Sequence, residues 1–320
     1  MKNKIKSFLF LLEKISFRIQ LIIFKRIISS KNAWRIFDTL HIPGFGINLQ
    51  RTYFPIYYDQ LSERNSFSEA FTMQLVSELA SHQYEKTELY IISEISALSE
   101  LPAKETHPSL PYLDNYFFGI LDAAVLGAMM RQLKPKKIIE IGSGISTRYM
   151  HLFRSKYALE AQIICVDPFP RVEIEHVADQ VIRLPLEQAI IQNAFNLGEN
   201  DILFMDGSHY VFQGNDTLIF FFNLLPNLNS GTVVHIHDIY LPYDYEQGVS
   251  QHLWSEQYIL AAMLASGLKG YSVLYPTYYQ SKHSGKLIEH LKRIDDSLSE
   301  KKFEKRTVHT TGFSFWMQKL

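Results

Sequence analysis

The sequence predicts a doubly wound α/β fold, a mostly parallel seven-stranded sheet with helices on both faces, preceded by an N-terminal helical extension. Three observations carry this. Residues 137–147, KIIEIGSGIST, read as a buried strand running into a glycine turn, with Ser146 and Thr147 opening the next helix. Further along, short apolar runs alternate with helical stretches, the order that builds a parallel sheet covered on both faces. Acids and histidines stand at the ends of those runs, at the edge where open α/β sheets bind ligands.

Composition narrows the classes. The chain has 320 residues, 47% of them hydrophobic and 20% charged, ordinary for a protein with a sizeable core. A net charge of −1 argues against a nucleic-acid partner, which calls for a basic excess. The single cysteine, Cys165, excludes an internal disulfide and reads as a core residue of a reducing, cytoplasmic compartment.

Residues 1–31 set Lys2, Lys4, Lys6, Lys14, Arg18, Lys25, Arg26 and Lys31 against one acid, Glu13. Their apolar runs fall short of the ~20 residues of a spanning helix. A basic amphipathic helix on an anionic membrane surface is one reading of this segment; packing on the protein body or a partner is the other. Residues 32–111 read as a helical cap and linker. Helical patterns cover 67–80 and 84–101, and Pro102, Pro108 and Pro111 punctuate the exit.

Residues 112–320 are the ligand-binding domain. Ile120, Leu121, Ala124, Val125, Ala128 and Met129 recur at helical spacing, and Pro135 closes that helix. The first strand, 137–141, leads to the glycine turn. Strands follow at 163–167 (IICVD), 181–184 (VIRL), 201–207 (DILFMDG) and 232–239 (TVVHIHDI), separated by helical intervals at 149–157, 186–195 and 216–225. Two late strands, 271–277 and 313–319, flank a charged stretch and suit an antiparallel edge.

A dinucleotide site asks for G-x-G-x-x-G. Here the turn is Gly142-x-Gly144-x-x-Thr147, lacking the third glycine, and Glu140 stands just before it. A carboxylate there would repel a pyrophosphate and favour a cation. Asp167 ends the second strand, where a carboxylate can take both hydroxyls of a ribose. A ligand with a ribose, an ammonium and a sulfonium but no phosphate suits both acids.

EIGSG, VDP, FMDGSH and HIHDI, in this order, resemble the class I S-adenosylmethionine-dependent methyltransferases. More narrowly, they resemble the bacterial group whose fourth strand ends in D-G-x-H and whose fifth ends in H-D. The resemblance covers roughly residues 112–320. It implies S-adenosylmethionine as cofactor, with Glu140, Gly142, Ser143 and Gly144 around its methionine part and Asp167 on its ribose. It also implies Pro168 and Phe169 beside the adenine, and Asn115 and Tyr116 closing over the methionine end.

The metal-dependent O-methyltransferases of that class place carboxylates at the ends of strands four and five. The matching positions here are Asp206, His237 and Asp238, with a histidine where an acid or amide is more usual. Two arrangements fit. In one, Asp206, His237 and Asp238 hold a divalent ion, Mg²⁺ or Mn²⁺, that activates an acceptor hydroxyl. In the other, His209 is a general base oriented by Asp206. His235 shares the face of His237 and reads as a core histidine. The aromatic segment 241–260 reads as a lid, with Tyr243, Trp254 and Glu256 as substrate contacts.

The expected activity is methyl transfer to a hydroxyl of a small molecule, glycan or lipid-linked acceptor. An NAD-dependent oxidoreductase or epimerase and a non-catalytic membrane scaffold are the competing classes.

Overall fold

Seven strands form a single sheet in the order β3-β2-β1-β4-β5-β7-β6. A computed structural model describes residues 66–192, 195–246, 249, 252–300 and 310–320. The amphipathic segment 1–31 and the first part of the cap, up to residue 65, lie outside the described residues.

Two helices precede the sheet, α1 (Glu69–Ala80) and α2 (Glu85–Leu98). They belong to the same compact unit as the strands, which spans Asn65–Leu320. The next helix, α3 (Ile120–Leu133), is buried continuously from Ile120 to Met130 because it packs between α2 and α4. It ends at Lys134, which turns left-handed (φ +50°) just before Pro135.

The strands follow: β1 (Lys137–Ile141), β2 (Gln162–Val166), β3 (Gln180–Ile182), β4 (Ile202–Met205) and β5 (Val233–Ile236). All pair in parallel. Helix α4 (Ile145–Lys156) crosses from β1 to β2, α5 (Leu186–Gln192) follows β3, and α6 (Asp216–Ile219) runs into a π-helical turn over Phe220–Leu224.

After α7 (Glu256–Ala265) come β6 (Tyr271–Pro276), α8 (Thr277–His283), α9 (Gly285–Glu300) and β7 (Phe315–Lys319). β7 lies antiparallel between β5 and β6, so the late strands do form the antiparallel edge. The charged stretch between them is largely helix α9. The strand order reverses between β1 and β4, and open sheets bind ligands at that switch point.

The central strands are mostly apolar, with Glu140 and His235 as buried polar side chains within them. Ile138, Ile163, Ile202, Leu203, Phe204, Val233 and Val234 are fully buried, as expected for strands covered on both faces. Further polar groups gather where the ladders stop. Asp206 N–H donates to the Ile141 carbonyl (2.8 Å) and His237 N–H to the Met205 carbonyl (2.9 Å). These two bonds fix Asp206 and His237 one step beyond the ends of neighbouring strands.

Candidate active site

The carboxyl ends of β1, β2 and β4 surround a crevice of about 420 Å³, within the roughly 300–1,000 Å³ of small-molecule sites. Its floor is the turn after β1. Gly142 is left-handed (φ +76°), and a Cβ there would lie 1.8 Å from the Asp206 carbonyl oxygen. Glycine is therefore required twice over, by conformation and by contact with the end of β4. A Cβ on Gly144 would meet nothing within 4 Å.

Asp167 borders the same crevice. Its Oδ2 accepts from the Ser143 N–H (2.8 Å) and hydroxyl (3.1 Å), and its Oδ1 from the Phe169 N–H (2.8 Å). An ionised carboxylate has about four acceptor positions, so Asp167 ties the glycine turn to the end of β2 and keeps capacity for a ligand hydroxyl.

Three expected contacts lie elsewhere. Glu140 is fully buried and does not line the crevice. Its carboxylate accepts from the Ser146 hydroxyl (2.5 Å) and the Thr147 hydroxyl (2.6 Å), with Cys165 Sγ at 3.3 Å. Burial pushes Glu140 up to about 7, partly offset by those hydrogen bonds. It pins the start of α4 through Ser146 and Thr147. Asn115 is buried too. Its Oδ1 accepts from the N–H groups of Phe117 (3.2 Å) and Phe118 (2.8 Å), and its amide donates to the Tyr112 carbonyl (2.7 Å). Tyr116 points away, largely exposed. The crevice wall is formed instead by Phe117 and Phe118, with the Arg171 guanidinium 5.0 Å from the centre of the Phe117 ring.

The loop after β4 and the end of β5 bring four side chains together. His209 is buried and left-handed (φ +64°), and Asp238 is also left-handed (φ +57°). His209 Nε2 lies 3.3 Å from Asp206 Oδ1 and 3.4 Å from Asp238 Oδ2. Its other nitrogen, Nδ1, is 2.5 Å from Glu256 Oε1. His237 Nδ1 lies 3.6 Å from Asp206 Oδ1 and 3.7 Å from Asp238 Oδ1, while its Nε2 is 3.6 Å from Asp122 Oδ2. Neither ring nitrogen of His237 has a hydrogen-bond partner, nor does Asp122 Oδ2.

Burial alone would push His209 down, but the Glu256 charge and the bonds to Asp206 and Glu256 hold it well above its ordinary value. His237 is likewise raised against burial, by the charges of Asp238 and Asp206. The Asp206 carboxyl is held far below the usual carboxylate range: burial opposes this, and the charge of His237 overcomes it.

His209, expected as a general base oriented by Asp206, is thus enclosed by acids on both sides, with Glu256 at its Nδ1 and Asp206 and Asp238 at its Nε2. Of the expected metal set, Asp206 and Asp238 have donor atoms within 4.8 Å of one another and of His209, while His237 Nδ1 lies 3.6 and 3.7 Å from the same two acids. Two carboxylates with an imidazole are donors that could hold a divalent cation.

The lid residues divide. Glu256 is 1% exposed and serves His209, so its expected role as a substrate contact is corrected. Trp254 packs against His209 with its ring tilted by 45° (centroids 4.6 Å apart). Tyr243 pairs with His283 through its hydroxyl (2.9 Å). Neither lines the crevice. His235 is a core residue as expected, stacked on Phe204 and 3.0 Å from the Ser314 hydroxyl.

Asp122 was not foreseen. It is 1% exposed, and its Oδ1 accepts from the N–H groups of Phe313 and Ser314 (each 2.8 Å) and from the Ser314 hydroxyl (2.6 Å). A signal was present, because it is the one acid in the apolar run ILDAAVLGAMM, where a carboxylate needs a buried partner.

Fold and crevice define the class: a doubly wound, Rossmann-like sheet with its ligand site at the switch point. Within it, residues 139–239 match the family described as a methyltransferase domain, a span from β1 past β5 that includes the glycine turn and residues 206, 209, 237 and 238. No curated protein matches the chain. Among solved structures, the chain is similar to an SAH-bound methyltransferase of Podospora anserina, PaMTH1 (14% identity, 71% of this chain and 94% of that one, TM-score 0.33). It is also similar to an O-methyltransferase from Bacillus cereus in complex with SAH (15%, 62% and 87%, TM-score 0.33) and to a CmcI structure with Mg-SAM (12%, 62% and 70%, TM-score 0.37).

Proposed function

We infer that this chain is an S-adenosylmethionine-dependent methyltransferase acting on a hydroxyl of a small-molecule or glycan acceptor. The observation that carries the reading is the charge of the crevice. Its lining holds the carboxylates of Asp167, Glu187, Asp206 and Asp216 against one guanidinium, Arg171. Such a lining favours a cationic ligand without phosphate and disfavours a pyrophosphate. The preference that the sequence assigned to Glu140 thus rests on other acids.

The residues present fit that cofactor. Asp167 has acceptor capacity for ribose hydroxyls, and Phe117 and Phe169 offer apolar surface for an adenine. Space beside Gly144 allows close approach of the methionine end. S-adenosylmethionine, when bound, supplies an electrophilic methyl group. The protein's part is to hold the acceptor oxygen beside it and to favour that oxygen's deprotonated form. Asp206 serves both regions, since it lines the crevice and belongs to the histidine–carboxylate cluster.

A divalent ion held by Asp206, His209 and Asp238 would supply a lowered hydroxyl pKa. Trp254 and the segment around it shield this end from water. The NAD reading is disfavoured at the same turn: Thr147 occupies the third-glycine position, and its hydroxyl is committed to Glu140. Lipid-linked acceptors belong to this proposal only if residues 1–31 bind anionic vesicles.

Calorimetric titration with S-adenosylhomocysteine, beside NADH, tests the assignment. Micromolar binding of the first and none of the second is expected; the reverse would overturn it.

A further inference from the structure

The segment between α2 and α3, residues 99–119, supplies the Phe117 and Phe118 wall of the crevice. Two backbone bonds close a loop within it, from the Leu113 N–H to the Pro102 carbonyl (3.0 Å) and from the Asp114 N–H to the Ala103 carbonyl (2.8 Å). Glu105 lies inside that loop. Asn115 follows, and its side chain bonds back to the Tyr112 carbonyl and forward to the N–H groups of Phe117 and Phe118. Loop and wall are thus one hydrogen-bonded piece, and a shift at the loop is passed to the crevice.

Helix α4 fastens this piece. Its first residues, Ile145 and Ser146, line the crevice, and Arg148 completes the first turn. Arg148 is 2% exposed, its guanidinium donates to Glu105 Oε1 at 2.9 Å, and its Nε has no hydrogen-bond partner. Among the described residues no other carboxylate pairs with it. The neighbouring Tyr149 adds a longer bond to the Tyr112 carbonyl (3.5 Å) and packs its ring on Phe118 (5.9 Å). A buried guanidinium needs a charged partner or water. Glu105 is 47% exposed, so it stands between Arg148 and solvent. Without its charge the guanidinium must be hydrated, and the loop must lift to admit that water. The other tie on the wall, Arg171 over the Phe117 ring at 5.0 Å, is an exposed cation–π contact of the weak kind. Phe118 carries the placement further, because its ring lies 5.1 Å from that of His237.

We propose that Glu105 and Arg148 are positioning residues for the cofactor: their ion pair latches segment 99–119 to α4 and so holds Phe117 and Phe118 as the wall that retains a ligand in the crevice. Neither residue lines the crevice. The ligand arm of this proposal rests on the crevice being the S-adenosylmethionine site. The latch itself is read in the ligand-free protein, so the two can fail separately.

Hydrogen exchange of the full-length protein, followed at the Leu113 and Asp114 amides, is the test. In the ligand-free Glu105→Gln variant both amides exchange at least about tenfold faster, the signature of easier local opening, while the circular dichroism spectrum is unchanged. In the wild type, S-adenosylhomocysteine slows both amides, although neither residue lines the crevice. Stopped-flow displacement shows S-adenosylhomocysteine leaving Glu105→Gln about tenfold faster than wild type. Raising the salt from roughly 0.05 to 0.5 M accelerates release from the wild type more than from the variant, which has no ion pair to screen. Unchanged exchange at both amides in Glu105→Gln, bound S-adenosylhomocysteine that leaves them unprotected in the wild type, or equal release rates would each overturn the latch. If S-adenosylhomocysteine does not bind at all, the cofactor reading fails and the ligand-free exchange still decides the latch.

Discussion

Glu140 makes folding stability depend on pH in a direction opposite to most carboxylates. Its ordinary value of 4.5 is raised to about 7 in the folded chain, chiefly by burial. Between those values the folded state binds the proton more tightly than the unfolded state. Glu140 therefore favours folding below about pH 4.5, and that contribution is lost as pH rises through 7. At about 1.4 kcal/mol per pH unit, the interval is worth roughly 3 kcal/mol. Glu140→Gln abolishes the titration. The amide also rearranges the bonds from Ser146 and Thr147, which adds an offset that does not vary with pH. The quantity to measure is thus the difference in unfolding free energy between wild type and variant, by urea denaturation from pH 4 to pH 8. That difference should move in favour of the variant by roughly 3 kcal/mol across the range, while contributions from other titrating groups cancel. A flat difference, or one moving in favour of the wild type, would refute the burial argument.

Gly142→Ala places a methyl group against the backbone of Asp206, which cannot rotate away, and adds about 1–2 kcal/mol of left-handed strain. Affinity for S-adenosylhomocysteine should fall at least about tenfold by calorimetry; an unchanged constant would show that the turn does not form the ligand floor. Glu94 is buried and accepts from Lys156 (2.7 Å) and from the Tyr157 hydroxyl. Glu94→Gln should destabilise by about 1–3 kcal/mol in urea, and a neutral result would mean that solvent replaces the pair. Asp216 holds the loop after β4, accepting from the Ser208 N–H (2.7 Å) and from the Ser208 hydroxyl. With Asp216→Ala the Ser208 amide loses its acceptor, at about 1–2 kcal/mol, and its hydrogen exchange should accelerate.

The sheet was legible because strands buried on both faces leave continuous apolar runs, and the turn because few residues but glycine fit Gly142. What those signals could not give is direction. Glu140 sits in a strand with no solvent face, so alternation says nothing about whether its carboxylate meets a ligand or α4. Glu256 lies in an aromatic, polar segment that reads as a substrate surface. Its service to His209 follows from a distant pairing: the Ser255 N–H donates to the His209 carbonyl at 2.8 Å, a contact no local pattern encodes. Asp122 could have been found by asking what a lone acid in a buried helix requires, although its partners, Ser314 and His237, are far away in sequence.

Backbone strain marks the same place independently. Gly142, His209 and Asp238 are all left-handed and follow β1, β4 and β5, three adjacent strands. For non-glycine residues such a conformation costs of order 1–3 kcal/mol and persists where surrounding contacts over-determine it. At His209 those contacts are visible. Its carbonyl accepts from Ser255 and Glu256 (2.8 and 3.3 Å), its ring is held by Glu256, and the Val211 N–H donates to the Ser255 hydroxyl at 2.9 Å. The loop after β4 and the start of α7 are therefore joined at several points and act as one piece. A loop that only had to close the chain would need none of this. The strain is maintained because it turns His209 inward, towards Asp206 and Asp238, and so places an imidazole next to the crevice where the acceptor oxygen is proposed to lie.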